Sequence, residues 1–496
     1  MTNTSPNANP SAAANTLMLS VSGCRGIVGQ SLTPEVVSRF AGAFAGWCTE
    51  RAAGKRVIVV LGRDGRKGNA MVHHGALAGL VGAGADVVDV GVAMTPTVGV
   101  ITDQVARDYN DATVAGMVLT ASHNPQIWNG LKALWTGPAD AYGSAASAPG
   151  AADAAQIVAR HKEGRVGLVG WDGVGHIAHA SDAAANHVHR VLAALEDAGV
   201  CDDAEALAEG FQICVDSVNA SGVAGARFLL ESMGCDEILH LGGEDTGIFP
   251  HPPEPLAENL VSVCEAVRQS GCAAGFVQDP DADRLALIDE KGRFVGEEYT
   301  LVLGVLALLT AAKRRGEDTS RMTLAANLST SRMIDDVAAR FGATVLRTAV
   351  GEANVVSAMK GHDSIAGGEG NGGVIWPRIT YVRDSLSAMA LTLSLMKSGT
   401  PLSKIVDDMP SYAIRKRKVE LHDREQAIRA AKKIQSAFAN ERLDTQDGVR
   451  VDIESKRAWL HVRGSNTEPI MRLIAEAPTT ADADALLDHA ERVING

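Results

Sequence analysis

Aromatic residues make up only 4% of the 496-residue chain, although 46% of it is hydrophobic. That balance excludes wholesale disorder and an aromatic-rich β-sandwich, and leans toward an α/β fold with Ala/Val/Leu cores. The seven cysteines are odd in number and form no CxxC pair. A disulfide framework or zinc site is therefore not expected, and a reducing, cytoplasmic setting is. The first 24 residues hold no Lys or Arg, so the positive region of a secretory signal is missing; residues 1–16 read as a polar tail. The longest apolar run, near Leu301–Ala312, ends at Lys313. It is too short to span a bilayer and predicts a buried helix. Nor is there an excess of positive charge. Lys plus Arg is 46 against 59 Asp plus Glu, a net of 46 − 59 = −13, which argues against nucleic-acid or membrane partners.

What is present is a rhythm of short apolar runs and Ala-rich helical stretches. Arg56–Leu61, Asp86–Val92 and Met117–Leu119 read as strands, each followed by a polar turn and a helix-like segment, the pattern of helix-covered sheets. Residues 138–156, rich in Ala, Gly and Pro, read as a surface insertion or linker. A second unit opens at Phe211–Asp216 and closes near Leu285–Asp289; a third runs from Met322–Ala326 to Ser364–Ala366. After Pro410 the strands Val449–Ile453, Trp459–Arg463 and Met471–Glu476 and a final helix suggest a smaller α+β module. The expected units are 17–185, 186–300, 301–410 and 411–496. The basic run Arg415-Lys416-Arg417-Lys418 lies in a strand-like stretch of an acidic chain and reads as a solvated edge.

Four polar loops carry chemistry. In Thr120-Ala121-Ser122-His123-Asn124-Pro125, Ser122 sits just past a strand's carboxyl end, where open α/β sheets bind ligands. A serine there can be a nucleophile; no GxSxG elbow surrounds it, and His123, its chain neighbour, is badly placed to be its base. Alone, the loop reads as a capped turn. In Asp279-Pro280-Asp281-Ala282-Asp283-Arg284, three carboxylates at alternate positions can converge on one hard cation. A calcium-hand reading fails, because Arg284 stands where that loop needs Gly and strand-like segments flank it; Mg²⁺ is favoured. Gly368–Gly373 formally matches GxGxxG, but Pro377 blocks the helix a dinucleotide site needs. What remains is Glu369 and Asn371, a carboxylate and an amide suited to sugar hydroxyls, or a plain glycine turn. Arg463-Gly464-Ser465-Asn466-Thr467-Glu468-Pro469, with Arg472 beyond, offers an anion cradle, or an ordinary solvated turn. Arg25 lies in a glycine turn, and Arg63 and Arg66 follow a strand.

Taken together, TASHNP with NGLK (Asn129–Lys132), DPDADR, GEGNGG and RGSNTEP, in that order, resemble the motifs of the α-D-phosphohexomutase family. The resemblance runs from about Ser20 to the C-terminal end. It implies three similar α/β domains with mixed sheets and a smaller α+β domain around a central cleft. It implies a phosphoryl group on Ser122, with Mg²⁺ held by that group and Asp279, Asp281 and Asp283. Arg25, Lys132 and Arg284 would line the reaction centre; Lys132 and His123 are candidates for acid/base roles near the serine oxygen, with a purely electrostatic part for Lys132 equally open. Glu369 and Asn371 would contact the sugar. Arg463, Ser465, Asn466, Thr467 and Arg472 would grip the phosphate that is not reacting. The partners implied are a hexose phosphate substrate and a hexose bisphosphate activator. Two motifs depart from the family. The sugar loop lacks the Ser and His of many members, and the GRDxRxS motif ends in Gly68. SGCRGIVG and GGEGNGGVI look most like the archaeal phosphoglucosamine mutase branch, which puts glucosamine phosphate first among expected substrates.

Overall fold

The computed structural model describes residues 16–137, 145–420, 424–464 and 470–495. Residues 1–15, 138–144, 421–423, 465–469 and 496 lie outside them. Four sheets follow one another along the chain. The first contains β1 (Met18–Ser20), β2 (Gly23–Ile27), β3 (Arg56–Arg63), β4 (Asp86–Val92), β5 (Ala112–Leu119), β6 (Trp128–Trp135) and β7 (Ile177–His179) in the order β1-β2-β6-β5-β3-β4-β7. The second has β8 (Gln212–Asp216), β9 (Glu237–Leu241), β10 (Ala274–Gln278) and β11 (Leu285–Asp289), ordered β11-β10-β8-β9. The third has β12 (Thr323–Asn327), β13 (Thr344–Thr348), β14 (Ala366–Glu369) and β15 (Gly373–Ile375), ordered β13-β12-β14-β15. All three are mixed. The fourth is antiparallel throughout: β16 (Ala413–Glu420), β17 (Arg442–Asp444), β18 (Val449–Ile453), β19 (Ala458–Gly464) and β20 (Ile470–Ala477), ordered β16-β20-β19-β18-β17.

One joint recurs four times. Each loop singled out in the sequence links an antiparallel pair: β5 to β6, β10 to β11, β14 to β15 and β19 to β20. In the first three sheets the leading strand of that pair also lies parallel to a neighbour. A parallel strand brings the chain to the ligand-binding edge of its sheet, and the antiparallel return holds both ends of the loop. The strands β5, β10 and β14 are buried for most of their length, so each loop stands on a rigid base.

Several sequence expectations change. The segment 138–156 is not linker throughout: Ala151–Lys162 is a helix that buries Ala154 and Ile157. Alanine is the strongest helix former, and compositional bias hid that. The unit breaks expected after 185 and 300 fall inside helices, Ala183–Asp197 and Glu297–Arg314. The second of these contains the apolar run and buries eleven of its residues; among the described residues no helix is long and apolar enough to cross a membrane. The basic run is on an edge strand, β16, but that edge is only partly solvated. Arg415 and Arg417 pair with Asp484, Asp488 and Glu491 of the helix Thr480–Asn495.

Candidate active site

Ser122 is the first fixed point. Its backbone is left-handed, with φ of 49°, a conformation that costs a non-glycine residue free energy and needs outside support. Support comes from both sides. The Ser122 N–H donates to Thr120 Oγ1 at 2.8 Å, and its carbonyl accepts from Arg66 Nη2 at 2.5 Å. Arg66 is itself buried and held by Asp64 at 2.7 Å. Gly68, the departure from the family motif, is the N-cap of the helix Asn69–Gly82 with φ of 93° and no side-chain cap; glycine there accepts a backbone geometry that serine would resist.

So positioned, Ser122 Oγ donates to Asp279 Oδ2 at 2.8 Å. The fold joins these residues from loops of different sheets, 157 positions apart in the chain. His123 is closer than adjacency in the chain suggests, with Nδ1 3.3 Å from Ser122 Oγ. Burial, with Arg284 and Arg25 nearby, lowers the imidazole pKa to about 3, so His123 is neutral at neutral pH.

Asp279, Asp281 and Asp283 are buried, each with a carboxylate oxygen within 4.8 Å of the others. Ala282 turns the chain with φ of 51°, which lets alternate carboxylates face one point. The turn is braced on both flanks: Ser221 Oγ donates to Pro280 O at 2.8 Å and Ser385 Oγ to Ala282 O at 2.7 Å. Thr95, from the first sheet's domain, donates through Oγ1 to Asp281 Oδ2 at 2.7 Å and through N–H to Asp281 O at 2.9 Å. The other oxygens, Asp281 Oδ1 and Asp283 Oδ1, are buried and have no hydrogen-bond partner among the described residues. Buried polar atoms are normally satisfied. Two orphaned carboxylate oxygens beside a third carboxylate fit a divalent cation, with oxygen the only donor.

The three acids are not alike. Burial, then Asp281 and Asp283, push Asp279 well above the usual carboxylate range. Burial would do the same to Asp283, but Arg383, Lys132 and Arg284 outweigh it and hold Asp283 low. Lys132 Nζ lies 2.9 Å and Arg383 Nη2 2.7 Å from Asp283 Oδ2. Burial works against the Lys132 charge, but Asp283, Glu352 and Asp281 override it and raise its pKa, so it remains a cation. Arg25, half-buried, donates to Asn124 Oδ1 at 3.1 Å, and Arg284 lies 3.9 Å from Asp283.

Arg383 was not singled out from the sequence, yet it joins the loops. It reaches Asp283, Glu369 Oε2 at 2.9 Å, Asn371 Oδ1 at 3.3 Å and Glu352 at 3.2 Å. Its only local signal is Asp384, which caps the helix Ser385–Met396 through Leu386 and Ser387 N–H. Asn327 Nδ2 also donates to Glu369, at 2.8 Å. Gly372, at φ of 88°, brings the sugar loop against β11, where the Leu285 N–H donates to its carbonyl at 2.9 Å.

Between this loop and the fourth sheet lies a cavity of about 290 Å³ lined by Glu298, Glu369, Asn371, Lys416, Arg463 and Arg472, among others. A larger opening of about 880 Å³ around Arg63, His73 and Asp89 contains neither Ser122 nor the aspartates. Ser465, Asn466 and Thr467 lie outside the described residues. Glu298, also missed from the sequence, accepts from Ser331 N–H at 2.9 Å, and burial raises its pKa to about 8. An unfolded glutamate loses its proton near pH 4.5 while the folded one keeps it to about 8. Between those values the unfolded state binds fewer protons, so Glu298 makes stability fall as pH rises. Glu298→Gln should therefore raise Tm relative to the parent at pH 8.5 and change it little at pH 4.5. Equal shifts at both pH values, read by thermal unfolding, would contradict this.

Comparison with known proteins identifies the family of the chain as a whole. Family models match in chain order: phosphoglucomutase/phosphomannomutase alpha/beta/alpha domain I over residues 17–148, domain II over 193–292, domain III over 302–412 and the C-terminal domain over 417–493. The chain belongs to the phosphoglucomutase/phosphomannomutase family of phosphohexomutases, which are intramolecular phosphotransferases. It is 34% identical to a protein of Methanopyrus kandleri named probable phosphoglucosamine mutase, covering 94% of this chain and 95% of that one. It is 31% identical to a phosphoglucomutase/phosphomannomutase of Thermococcus kodakarensis, over 94% and 96%. The crystal structure of a family member from Burkholderia thailandensis shares the fold with a TM-score of 0.77 at 23% identity, covering 96% of this chain and 98% of that one.

Proposed function

We propose that this enzyme interconverts hexose 6-phosphate and hexose 1-phosphate through a phosphoserine at Ser122 and a hexose bisphosphate. The observation that carries the reading is the contact of Ser122 Oγ with Asp279 inside a ring of cations. In the first step the oxygen of the substrate's free hydroxyl bonds to phosphorus as the Ser122 Oγ–P bond breaks, the hydroxyl proton passes to a nearby acceptor, and Ser122 Oγ takes up a proton to become a hydroxyl again. The bisphosphate then turns end over end, and its other phosphate returns to Ser122. Transfer of this kind rests on positioning and charge neutralisation. Lys132, kept cationic by Asp283 and Glu352, serves as an electrostatic clamp rather than a base. Neutral His123 is the proton carrier nearest Ser122 Oγ. Asp279, Asp281 and Asp283 would hold Mg²⁺, which supplies a further positive charge to the transferring group. Full activity after exhaustive chelation would rule that out.

The sugar is read as glucosamine phosphate, supported by the name of the Methanopyrus relative and by the Glu369 carboxylate in the cavity. Acid side chains suit a substrate that carries an ammonium group. The alternative, glucose or mannose phosphate, is favoured by the name of the Thermococcus relative. Assay of the three 6-phosphates side by side, with trace bisphosphate, decides between them.

In this reading Arg463, with Arg472, holds the phosphate that is not reacting, and Asn371 meets the ring. Arg463→Ala deletes a charge-assisted contact worth about 1.5–3 kcal/mol. KM should rise, kcat should change less, and trapped free bisphosphate should increase. Asn371→Ala should instead alter the ratio of rates among the three sugars. The opposite pattern in steady-state kinetics would reverse the two roles.

A further inference from the structure

The basic run of β16 is divided by the strand's period of two. Arg415 and Arg417 face the helix Thr480–Asn495 and are neutralised there by three acids. Lys416 and Lys418 take the other face and line the cavity, which Arg417 between them also borders. Register places Lys418 opposite Arg472 on β20, and Arg472 opposite Arg463 on β19. Three cations therefore stand in one row across three neighbouring strands, with Lys416 two residues along. Residues directly opposite in an antiparallel pair have side chains on one face, about 5 Å apart, and like charges there repel. Arg463 has Asp447 at 2.9 Å. Lys416, Lys418 and Arg472 have no ion-pair partner among the described residues. Across the cavity Glu298 keeps its proton to about pH 8, so it neutralises little of the row at neutral pH. Lys416, Lys418 and Arg472 are exposed to water, and a row of like charges on one sheet face beside a cavity is an attractive site for an anion.

We infer that Lys416 and Lys418 are phosphate-binding residues that extend the cradle of Arg463 and Arg472 onto β16. This rests on the function proposed above: the anion is the phosphoryl group of the hexose phosphate that is not being transferred. Two lysines suit that task because the bisphosphate must be held at one end while it is turned. An ammonium on a flexible stem follows a moving phosphate, whereas a guanidinium prefers one fixed geometry. The phosphate is common to every hexose substrate, so these residues set affinity and leave sugar preference alone.

The test is a set of charge variants of the full chain. Lys418→Gln should raise KM on the order of tenfold, the scale of one charge-assisted contact. It should change kcat less than about threefold and act equally on glucosamine, glucose and mannose 6-phosphates. Lys418→Arg should recover most of the loss. Lys416→Gln with Lys418→Gln should further weaken binding of inorganic phosphate, measured by calorimetry without turnover. Arg415→Gln removes a charge from the helix-facing side; it should lower Tm and leave phosphate affinity unchanged. Unchanged KM and phosphate affinity in the double variant would overturn the inference while leaving the mutase reading intact. A parent protein that turns over none of the three sugars would overturn the mutase reading, and phosphate calorimetry would still decide the role of the lysines.

Discussion

Ser122→Ala should abolish turnover, by more than about a thousandfold, because the phosphoryl group then has no covalent resting place between its two positions on the sugar. The fold should survive. The left-handed backbone at Ser122 is held by Arg66 and Thr120 through main-chain atoms that alanine retains. The lost hydroxyl contacts only Asp279 and His123 among the described residues. Intact-mass analysis should find one added phosphoryl group on the active parent and none on the variant, with Tm within a few degrees of the parent. Active parent protein without that mass, or with it on another residue, would sink the assignment.

Asparagine replacements at Asp279 and Asp283 should separate catalysis from stability. Both should slow transfer and weaken Mg²⁺ binding, since each removes a carboxylate from a set of three. Their effects on the metal-free fold should be opposite. Asp279 is raised by burial and by its two acidic neighbours, so Asp279→Asn relieves repulsion and should leave Tm unchanged or higher in chelator. Asp283 is the anion to which Lys132 and Arg383 are tied. Asp283→Asn removes the acid nearest two buried cations, leaving Lys132 with Glu352 and Arg383 with Glu352 and Glu369. Stability in chelator, and with it Tm, should therefore fall, by less than the roughly 3–5 kcal/mol of a fully broken buried ion pair. Thermal unfolding of both variants with and without chelator measures this. Equal Tm values in chelator would show that the three acids act as one undifferentiated cluster.

Much of the fold was legible because its strands are short, apolar and bounded by turns. β3, β4, β8 and β11 follow the runs Arg56–Leu61, Asp86–Val92, Phe211–Asp216 and Leu285–Asp289 to within two residues. The helix Ala151–Lys162 was not legible, because Ala-rich sequence serves a linker and a helix equally well; its burial against the rest of the first domain selects the helix. The placement of Lys416 and Lys418 was hidden for a similar reason. A run of four bases looks uniform in the chain, and only the pairing of β16 with β20 on one face and a helix on the other divides it in two.

By itself the sequence determined which residues could do chemistry. The hydroxyl of Ser122, the alternating carboxylates at 279, 281 and 283, and the acid-amide pair Glu369 and Asn371 are local patterns, set by the side chains and their spacing. The tertiary structure alone decided how they act on one another. Arg383 ties the loop of Asp283 to that of Glu369, reaching Asp283 across 100 residues, and Thr95 orients Asp281 across 186. Those links are invisible in the chain because the Coulomb energy and desolvation that set them depend on distance and burial in space. The same two quantities make Asp283 an ion and push Asp279 toward its neutral form, although the sequence presents them as equals.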